Sequence, residues 1–210
     1  MTNTDLSGWR NAHVPLCTFR FRHPKILLFT HAIQACYNNF SFFNNIRFFM
    51  LKSFAPIINS ETKILIIGTM PGEASLQAGE YYAHQRNLFW RFMADIFNNG
   101  AAFKSYKQKC ACLLNNKIGL WDNLQYCERQ GSLDMDIKNA LPNDFEGLLQ
   151  QYPNVGKIIF NGQKSAEFFK KFHPQLMKKI ECIGVPSTSP ANASIQLKNK
   201  FDRWKKALDK

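Results

Sequence analysis

The sequence predicts an α/β fold of three layers, α/β/α, in which a central four-stranded parallel sheet lies between two layers of helices. Three observations predict it. Four short apolar segments are typical of buried strands, helical patterns alternate with them, and each strand ends in glycine, proline or small polar residues. Strands that alternate with helices pair in parallel, because each helix returns the chain to the same end of the sheet. The length of 210 residues suits one domain with a full core.

The prediction is built around the first strand and the helix that follows it. Residues 63–67 form an isoleucine-rich apolar run, which is typical of a buried strand. Two glycines and a proline in residues 68–72 then allow a sharp turn and a close approach of the backbone to a ligand. A polar segment follows, and apolar residues at helical spacing predict a helix from about Leu88. This order places a binding site at the carboxyl end of the strand.

Three further strands and four further helices are expected downstream. The strands are expected at residues 118–121, 157–160 and 180–185, and the helices at residues 103–115, 143–151, 163–172 and 194–208. These strands end in Trp-Asp-Asn, in Asn-Gly and in Pro-Ser-Thr-Ser-Pro. Open parallel sheets bind ligands outside the carboxyl ends of their strands, so four such endings at one edge indicate a site.

Asn87 stands where the first of these helices begins, and two interpretations of it are possible. Asparagine is a favoured N-cap, because its side-chain oxygen accepts a hydrogen bond from the exposed N–H groups of the first turn. Spacing alone favours this cap. The same carboxamide can instead orient a water molecule through its oxygen and contact a nucleotide through its NH₂ group.

The motifs around Asn87 resemble the first motif of the uracil-DNA glycosylase superfamily. They are Gly-Thr-Met-Pro-Gly at 68–72, Ser-Leu at 75–76, Tyr-Tyr-Ala-His at 81–84 and Arg-Asn-Leu-Phe-Trp at 86–90. Within the superfamily they look like the hypoxanthine-DNA glycosylase branch, whose enzymes remove deaminated adenine from DNA. The resemblance implies that Asn87 is catalytic and that Gly68, Met70 and Pro71 contact the substrate. Gln85 departs from the branch, which usually has proline there.

The resemblance extends over about residues 54–204. Gly-Leu-Trp-Asp-Asn-Leu at 119–124, Cys-Glu-Arg at 127–129 and Gly-Ser-Leu-Asp at 131–134 also look like this branch. Pro-Ser-Thr-Ser-Pro at 186–190 is similar to the second motif of the superfamily, a loop that presses on the DNA backbone. The resemblance implies that this loop binds DNA through four residues, because hydroxyl and free N–H groups can bond phosphate oxygens. These are Ser187, Thr188, Ser189 and Pro190.

Recognition of the base is assigned to side chains at the strand ends. Hypoxanthine carries N1–H where adenine has an acceptor, so an ionised Asp122 would accept from hypoxanthine and repel adenine. Asp122 would also suit a supporting or capping role. Asn161 is a rival for the same task, or a turn residue. Tyr82 is the candidate platform on which an extruded base stacks, with a core tyrosine as the alternative, and Tyr81 would replace it if the loop register differs by one.

Composition supports a polyanionic partner. The net charge is +12 and the pI is about 9.5, and lysine and arginine neutralise phosphates in sequence-independent binding to nucleic acid. The basic residues of the last helix, Lys200 among them, are expected mostly on solvated faces. The six cysteines show no metal-ligand spacing, so we expect reduced thiols, no metal and no cofactor. The protein is expected to be a cytoplasmic monomer that meets single- or double-stranded DNA containing a damaged base, with no membrane association.

Residues 1–49 do not follow the α/β pattern. They contain eight of the nineteen phenylalanines and one acidic residue. We expect an upstream extension of the reading frame or a poorly ordered arm, followed by a glycosylase-like domain at 50–210; a DNA-binding or membrane-surface arm is the alternative. Without this segment the net charge is still +8.

The function expected from these features is that of a monofunctional DNA glycosylase, which hydrolyses the bond between a deaminated base and deoxyribose and so initiates base excision repair. Hypoxanthine is favoured as the base. Two alternatives stay open: a uracil-specific DNA glycosylase, and a nucleic-acid-binding module on the same scaffold that does not cleave, since fold alone does not prove activity.

Overall fold

A computed structural model describes residues 50–209, and the prediction for residues 1–49 lies outside this range. The described part contains two sheets and six α-helices. The strands are β1 (Leu51–Lys52), β2 (Ile64–Gly68), β3 (Ile118–Asp122), β4 (Leu124–Glu128), β5 (Lys138–Pro142), β6 (Lys157–Asn161) and β7 (Glu181–Val185). The helices are α1 (Glu73–Ala78), α2 (Phe89–Phe97), α3 (Tyr106–Asn115), α4 (Phe145–Gln151), α5 (Gln163–Phe172) and α6 (Leu197–Leu208), with 3₁₀ turns at Asp134–Asp136 and Leu176–Lys178.

The larger sheet has the strand order β3-β2-β6-β7, and all of its pairs are parallel. This confirms the predicted four-stranded parallel sheet. Gly68 pairs with Asp122, and Asn161 pairs with Val185, so the predicted strand endings lie at one edge.

Alternate side chains of β2 face two helical layers, which explains why the whole strand is apolar. Ile64 and Ile66 belong to a core that includes residues of α2, α3 and α6. Leu65 and Ile67 belong to a second core, which includes residues of α4 and α5. The three-layer architecture follows from this division. No helix within residues 50–209 combines the length and apolar character needed to cross a bilayer.

Three helices begin two or three residues later than the periodicity predicted. The Ser105 side chain accepts a hydrogen bond from the backbone N–H of Gln108, so α3 begins after that cap. Asp144 accepts from Gly147 N–H in the same way before α4. The last helix begins at Leu197 instead of 194, and Leu197 is exposed.

Helix α1 and the smaller sheet were not predicted from the sequence. The smaller sheet is antiparallel, with the order β1-β4-β5, and β4 and β5 form a hairpin with a loop at 129–137. Their side chains alternate poorly between apolar and polar, and β5 ends in proline, so neither showed the pattern of a strand. Helix α1 has only six residues, too few for a helical period to be evident.

Candidate active site

A cleft of about 760 Å³ lies at the carboxyl edge of the parallel sheet. All eleven residues that the sequence assigned to the site line this cleft, although they come from five separate segments of the chain. They are Gly68, Met70, Pro71, Tyr82, Asn87, Asp122, Asn161, Ser187, Thr188, Ser189 and Pro190.

Gly68 ends β2 at a point where no side chain fits. A Cβ atom there would collide with the Asp122 carboxylate and would lie 3.1 Å from the Tyr82 hydroxyl oxygen. Asn123 fixes the same turn, because its Nδ2 donates to the carbonyl of Gly68 at 2.8 Å and to the carbonyl of Ser165 at 2.9 Å. The glycine therefore brings a carboxylate and a phenol together at the base of the cleft.

Asp122 is almost completely buried at the end of β3, and its Oδ2 accepts a hydrogen bond from Ser53 Oγ at 3.1 Å. Burial raises the pKa of Asp122 to about 7, because a charged carboxylate is poorly solvated there. The Ser53 hydroxyl and the nearby Arg129 oppose the rise, and the negative charge of Asp134 adds to it. The carboxyl group consequently changes its charge near neutral pH instead of being fully ionised.

Arg129 and Asp134 connect the hairpin loop at 129–137 to the glycine-proline turn. The Arg129 side chain is buried and its Nη2 donates to the Pro71 carbonyl, while its Nη1 lies 3.7 Å from Asp134 Oδ1. Burial raises the pKa of Asp134, and the adjacent Thr69 hydroxyl and Arg129 guanidinium oppose this. Asp134 also lines the cleft.

Tyr82 has the backbone φ angle of +55°, an uncommon conformation for a residue with a side chain. Its ring stacks on Phe89 with a centroid distance of 4.2 Å. The Tyr82 hydroxyl is buried, and it has no hydrogen-bond partner among residues 50–209. Burial and the charge of Asp122 both raise the pKa of Tyr82, so it is neutral and can donate a hydrogen bond. Tyr81 is more deeply buried, and its hydroxyl donates to the Ala55 carbonyl at 3.2 Å.

Asn87 stands one residue before Leu88, which is the N-cap of α2, so the cap predicted for Asn87 is displaced by one residue. Its Oδ1 nevertheless accepts a hydrogen bond from Phe89 N–H, a donor of the first turn, at 3.0 Å. It also lines the cleft. The next residue, Leu88, donates its N–H to the Thr188 carbonyl at 3.0 Å, which joins this segment to the serine-threonine loop. One lone pair of Oδ1 and the Nδ2 group make no hydrogen bond within the described range.

The serine-threonine loop, residues 186–192, is held from three sides. Asn161 and Thr188 bond reciprocally: Asn161 Nδ2 donates to Thr188 Oγ1, and Thr188 N–H donates to Asn161 Oδ1, both at 2.9 Å. Trp204 Nε1 donates to the Pro186 carbonyl at 2.9 Å. Lys200 is buried, and its Nζ donates to the Asn192 carbonyl at 2.7 Å. The expectation of a solvated Lys200 was therefore wrong, because this lysine braces the loop.

Sequence reasoning assigned no role to Ser53, Arg129 or Asp134. Arg129 and Asp134 stand within the motifs that carry the resemblance, Cys-Glu-Arg and Gly-Ser-Leu-Asp, and their place in those motifs was a signal that could have been used. Ser53 lies 69 residues from Asp122 in the chain, and no local pattern distinguishes it.

Comparisons with known proteins agree with this fold. The family model of the uracil DNA glycosylase superfamily matches residues 55–209. A hypoxanthine DNA glycosylase of Methanosarcina barkeri is 38% identical over 117 residues, which cover 56% of this chain and 74% of that protein. A hypoxanthine DNA glycosylase of Methanosarcina acetivorans is 33% identical over 154 residues, 73% of this chain and 94% of that protein.

A solved structure gives the same fold. The solution NMR structure of a proposed uracil DNA glycosylase from Methanosarcina acetivorans has a TM-score of 0.66 and 31% sequence identity, with 76% of this chain and 96% of that chain covered. The three-layer fold is thus that of a DNA glycosylase. The chain belongs to the uracil DNA glycosylase superfamily.

Proposed function

We propose that this protein is a monofunctional glycosylase that hydrolyses the N-glycosidic bond of deoxyinosine in DNA and so initiates base excision repair. Two relatives named hypoxanthine DNA glycosylase support the choice of base. The observation that carries the proposal is the meeting of Asn87, Asp122 and the serine-threonine loop in one cleft. These groups come from three distant segments, and base excision needs each of them for a different task.

Asn87 is proposed to hold the attacking water. Cleavage of a glycosidic bond passes through an oxocarbenium-like sugar, so a strong nucleophile is not required and orientation of the water suffices. Phe89 N–H occupies one lone pair of Asn87 Oδ1, and the second lone pair is available to a water molecule. The Nδ2 group is then left to donate to the nucleotide. The hydrogen bond to Phe89 holds the carboxamide in a fixed orientation, which favours this role.

Asp122 is proposed to read the base. In its ionised form it accepts a hydrogen bond from N1–H of hypoxanthine, whereas adenine presents a lone pair there. Asn161, the rival for this task, already bonds Thr188 through both ends of its carboxamide and is better suited to fixing the loop. Uracil also carries a ring N–H between two carbonyls, so the same carboxylate would accept from uracil. Deoxyuridine is therefore the competing substrate to test.

Two further parts of the cleft complete the proposed complex. The partly buried ring of Tyr82 provides a platform for the extruded base, and its unpartnered hydroxyl can donate to that base or to water. Ser187 to Pro190 contact the phosphates on either side. Gly68, Met70 and Pro71 border the base. The proposed enzyme is an intracellular monomer that needs no cofactor.

The proposal is tested with strand-cleavage assays on purified full-length protein. Duplexes that contain one deoxyinosine, one deoxyuridine or only normal bases are incubated with the protein and heated in alkali, which breaks the strand at an abasic site. Asn87→Ala is compared with Asn115→Ala, a control at an exposed asparagine at the end of α3 outside the cleft.

We expect cleavage of the deoxyinosine strand that Asn115→Ala retains and Asn87→Ala loses. Stronger cleavage of the deoxyuridine strand would replace hypoxanthine with uracil as the substrate. Tight binding of damaged duplexes without cleavage of any strand would reject the enzyme in favour of a binding module.

A further inference from the structure

The Tyr82 hydroxyl is a buried donor without a partner. It makes no hydrogen bond to any of residues 50–209, although a buried polar group that lacks one costs free energy. The same residue has the left-handed backbone φ angle of +55°, which is uncommon for a bulky side chain. Tyr82 also lines the cleft. Two unfavourable features at one residue of a cleft indicate that the residue has a task in binding.

An acceptor lies beside this donor at the base of the cleft. A Cβ atom added to Gly68 would collide with Asp122 Oδ1 and would lie 3.1 Å from the Tyr82 hydroxyl oxygen, so the two oxygens flank one point. Ser53 donates to the other carboxylate oxygen, Oδ2, and Oδ1 accepts no hydrogen bond from residues 50–209. Burial and the charge of Asp122 raise the pKa of Tyr82, so the phenol keeps the proton that it can donate. The cleft therefore offers a free donor next to a free acceptor.

Deamination exchanges the donor and the acceptor on the edge of a base. Adenine presents an amine, which donates, next to a ring nitrogen that accepts. Hypoxanthine presents the C6 carbonyl, which accepts, next to N1–H, which donates. Enzymes that extrude a base read it by hydrogen bonds on this edge. A fixed donor next to a fixed acceptor therefore matches hypoxanthine at both positions and mismatches adenine at both. Uracil and guanine carry the same two groups, so this pair does not distinguish them from hypoxanthine.

We propose that the Tyr82 hydroxyl donates a hydrogen bond to the C6 carbonyl of extruded hypoxanthine while Asp122 Oδ1 accepts N1–H, so that the two side chains together read the result of deamination. This inference rests on the proposed function, to which it adds a second contact and the base atom that receives it. The contact uses the hydroxyl edge of Tyr82, whereas stacking would use the face of the ring. Negative charge grows on the base as the glycosidic bond breaks, so a donor at its carbonyl also stabilises the departing base.

Tyr82→Phe tests this contact, because it removes the hydroxyl and keeps the ring. The control is Tyr126→Phe, at a half-buried tyrosine of β4 that does not line the cleft. Cleavage of deoxyinosine in a duplex is measured under single-turnover conditions with saturating full-length protein. We expect Tyr82→Phe to lose at least about tenfold in rate and Tyr126→Phe to lose less than about twofold. In urea unfolding, the midpoint of Tyr82→Phe should be no lower than that of wild type, because the deleted hydroxyl has no partner among residues 50–209.

Binding to analogues that resist cleavage tests the atom that receives the hydrogen bond. Two duplexes carry a 2′-fluorinated nucleotide, one with hypoxanthine as its base and one with unsubstituted purine, which lacks both the C6 oxygen and N1–H. Dissociation constants are measured by fluorescence anisotropy for the same three proteins. We expect Tyr82→Phe to weaken binding of the hypoxanthine duplex about fivefold and binding of the purine duplex less than about twofold, since one hydrogen bond is lost from the first complex alone.

These measurements separate failure of the contact from failure of the proposed function. The contact is overturned if Tyr82→Phe cleaves deoxyinosine as fast as wild type, if it weakens binding of both duplexes equally, or if it lowers the urea midpoint. The proposed function survives each of these results. A wild type that cleaves no deoxyinosine but prefers the hypoxanthine duplex, with a preference that Tyr82→Phe loses, would reject the enzyme and support the contact.

Discussion

Asn87 and Asp122 each combine a structural task with the chemical task proposed for them. Asn87 accepts the N–H of Phe89 at the start of α2 and also lines the cleft. Asp122 is buried with a single hydrogen bond from Ser53, and a buried carboxyl with a raised pKa reduces stability once it ionises. Variants that retain one task and remove the other can therefore separate stability from activity at both positions.

Asn87→Ser retains a side-chain oxygen and removes the carboxamide. Serine can also accept the N–H of the residue two positions ahead, so we expect the free energy of unfolding to change by less than about 0.5 kcal/mol, whereas Asn87→Ala leaves Phe89 N–H without its side-chain partner and should lose about 1 kcal/mol. Both variants should lose about 100-fold or more in single-turnover cleavage of deoxyinosine, because both lose the group that positions water. Urea unfolding and the cleavage assay measure the two effects. Full activity in Asn87→Ser would show that Asn87 only supports the start of α2.

Asp122 should make stability dependent on pH. Burial raises its pKa to about 7, so between about pH 4 and pH 7 the folded state retains a proton that the unfolded state releases. The stability contribution of this group is full below about pH 4 and is lost as the pH rises through 7. Asp122→Asn should therefore unfold less readily than wild type at pH 8, by a few kcal/mol, and the gain should vanish near pH 4.

Urea unfolding from pH 4 to pH 8 measures this difference, with Asp95→Asn, at an exposed aspartate of α2, as the control for removal of a surface carboxylate. The same Asp122→Asn variant should lose cleavage of deoxyinosine, because an amide presents no charged acceptor to N1–H. In wild type, cleavage should rise with pH through 7, as Asp122 ionises. A rate that is independent of pH between 6 and 8 would argue against base reading by Asp122.

Two turns that follow strands of the parallel sheet position the residues of the site. In the turn after β2, the Asp122 carboxylate can lie against residue 68 only because that residue has no Cβ. In the turn after β6, Gly162 leaves room for Ser187 of the serine-threonine loop in the same way. Gly162 has the backbone φ angle of +101°, and its N–H donates to the Val185 carbonyl at 3.0 Å. Both glycines thus let two neighbouring strand ends approach each other.

Gly162→Ala should be destabilising and should displace the loop. An added Cβ would lie 2.9 Å from Ser187 Cβ, and the left-handed backbone disfavours any side chain. We expect a loss of about 1–3 kcal/mol in the free energy of unfolding and a weaker affinity for DNA. Gly156→Ala is the control, since nothing lies within 4 Å of its added Cβ, and it should change stability by less than about 0.5 kcal/mol. Equal stability of the two variants would contradict the proposed strain.

For the whole molecule, charge is the feature that acts on DNA at a distance. The net charge is +12 for the full chain and +8 without residues 1–49. A basic protein neutralises phosphates regardless of sequence, so this charge favours binding to DNA in general, and recognition of the damaged base is left to the cleft.

The logarithm of the DNA-binding constant should fall linearly with the logarithm of the salt concentration, with a slope of about 0.9 per phosphate neutralised. A chain that starts at Met50 should have the same slope as the full chain within about one unit, and a similar cleavage rate, if residues 1–49 do not contact DNA. Fluorescence anisotropy from 50 to 300 mM salt measures both slopes. A slope shallower by two or more units in the shorter chain would assign a DNA-binding role to the first 49 residues.

Much of this arrangement could be predicted from local patterns. The apolar runs of β2, β3 and β6 were evident because strands buried on both faces are continuously apolar, whereas β7 is a partly exposed edge strand with a shorter apolar run. The parallel order of the four strands follows from the helices between them. All eleven predicted site residues line one cleft because the carboxyl ends of parallel strands meet at one edge. The hairpin of β4 and β5 was missed because its polar and apolar residues do not alternate regularly.

The sequence by itself determined the architecture, the edge at which the site lies and the residue types available there, since these depend on periodicity and on order along the chain. Only the tertiary structure decided how those residues act. The raised pKa of Asp122 depends on burial and on Ser53, which is 69 residues away, and the fixed loop depends on the reciprocal bonds of Asn161 and Thr188. Desolvation and hydrogen-bond geometry arise from packing between distant segments, and no local pattern encodes them.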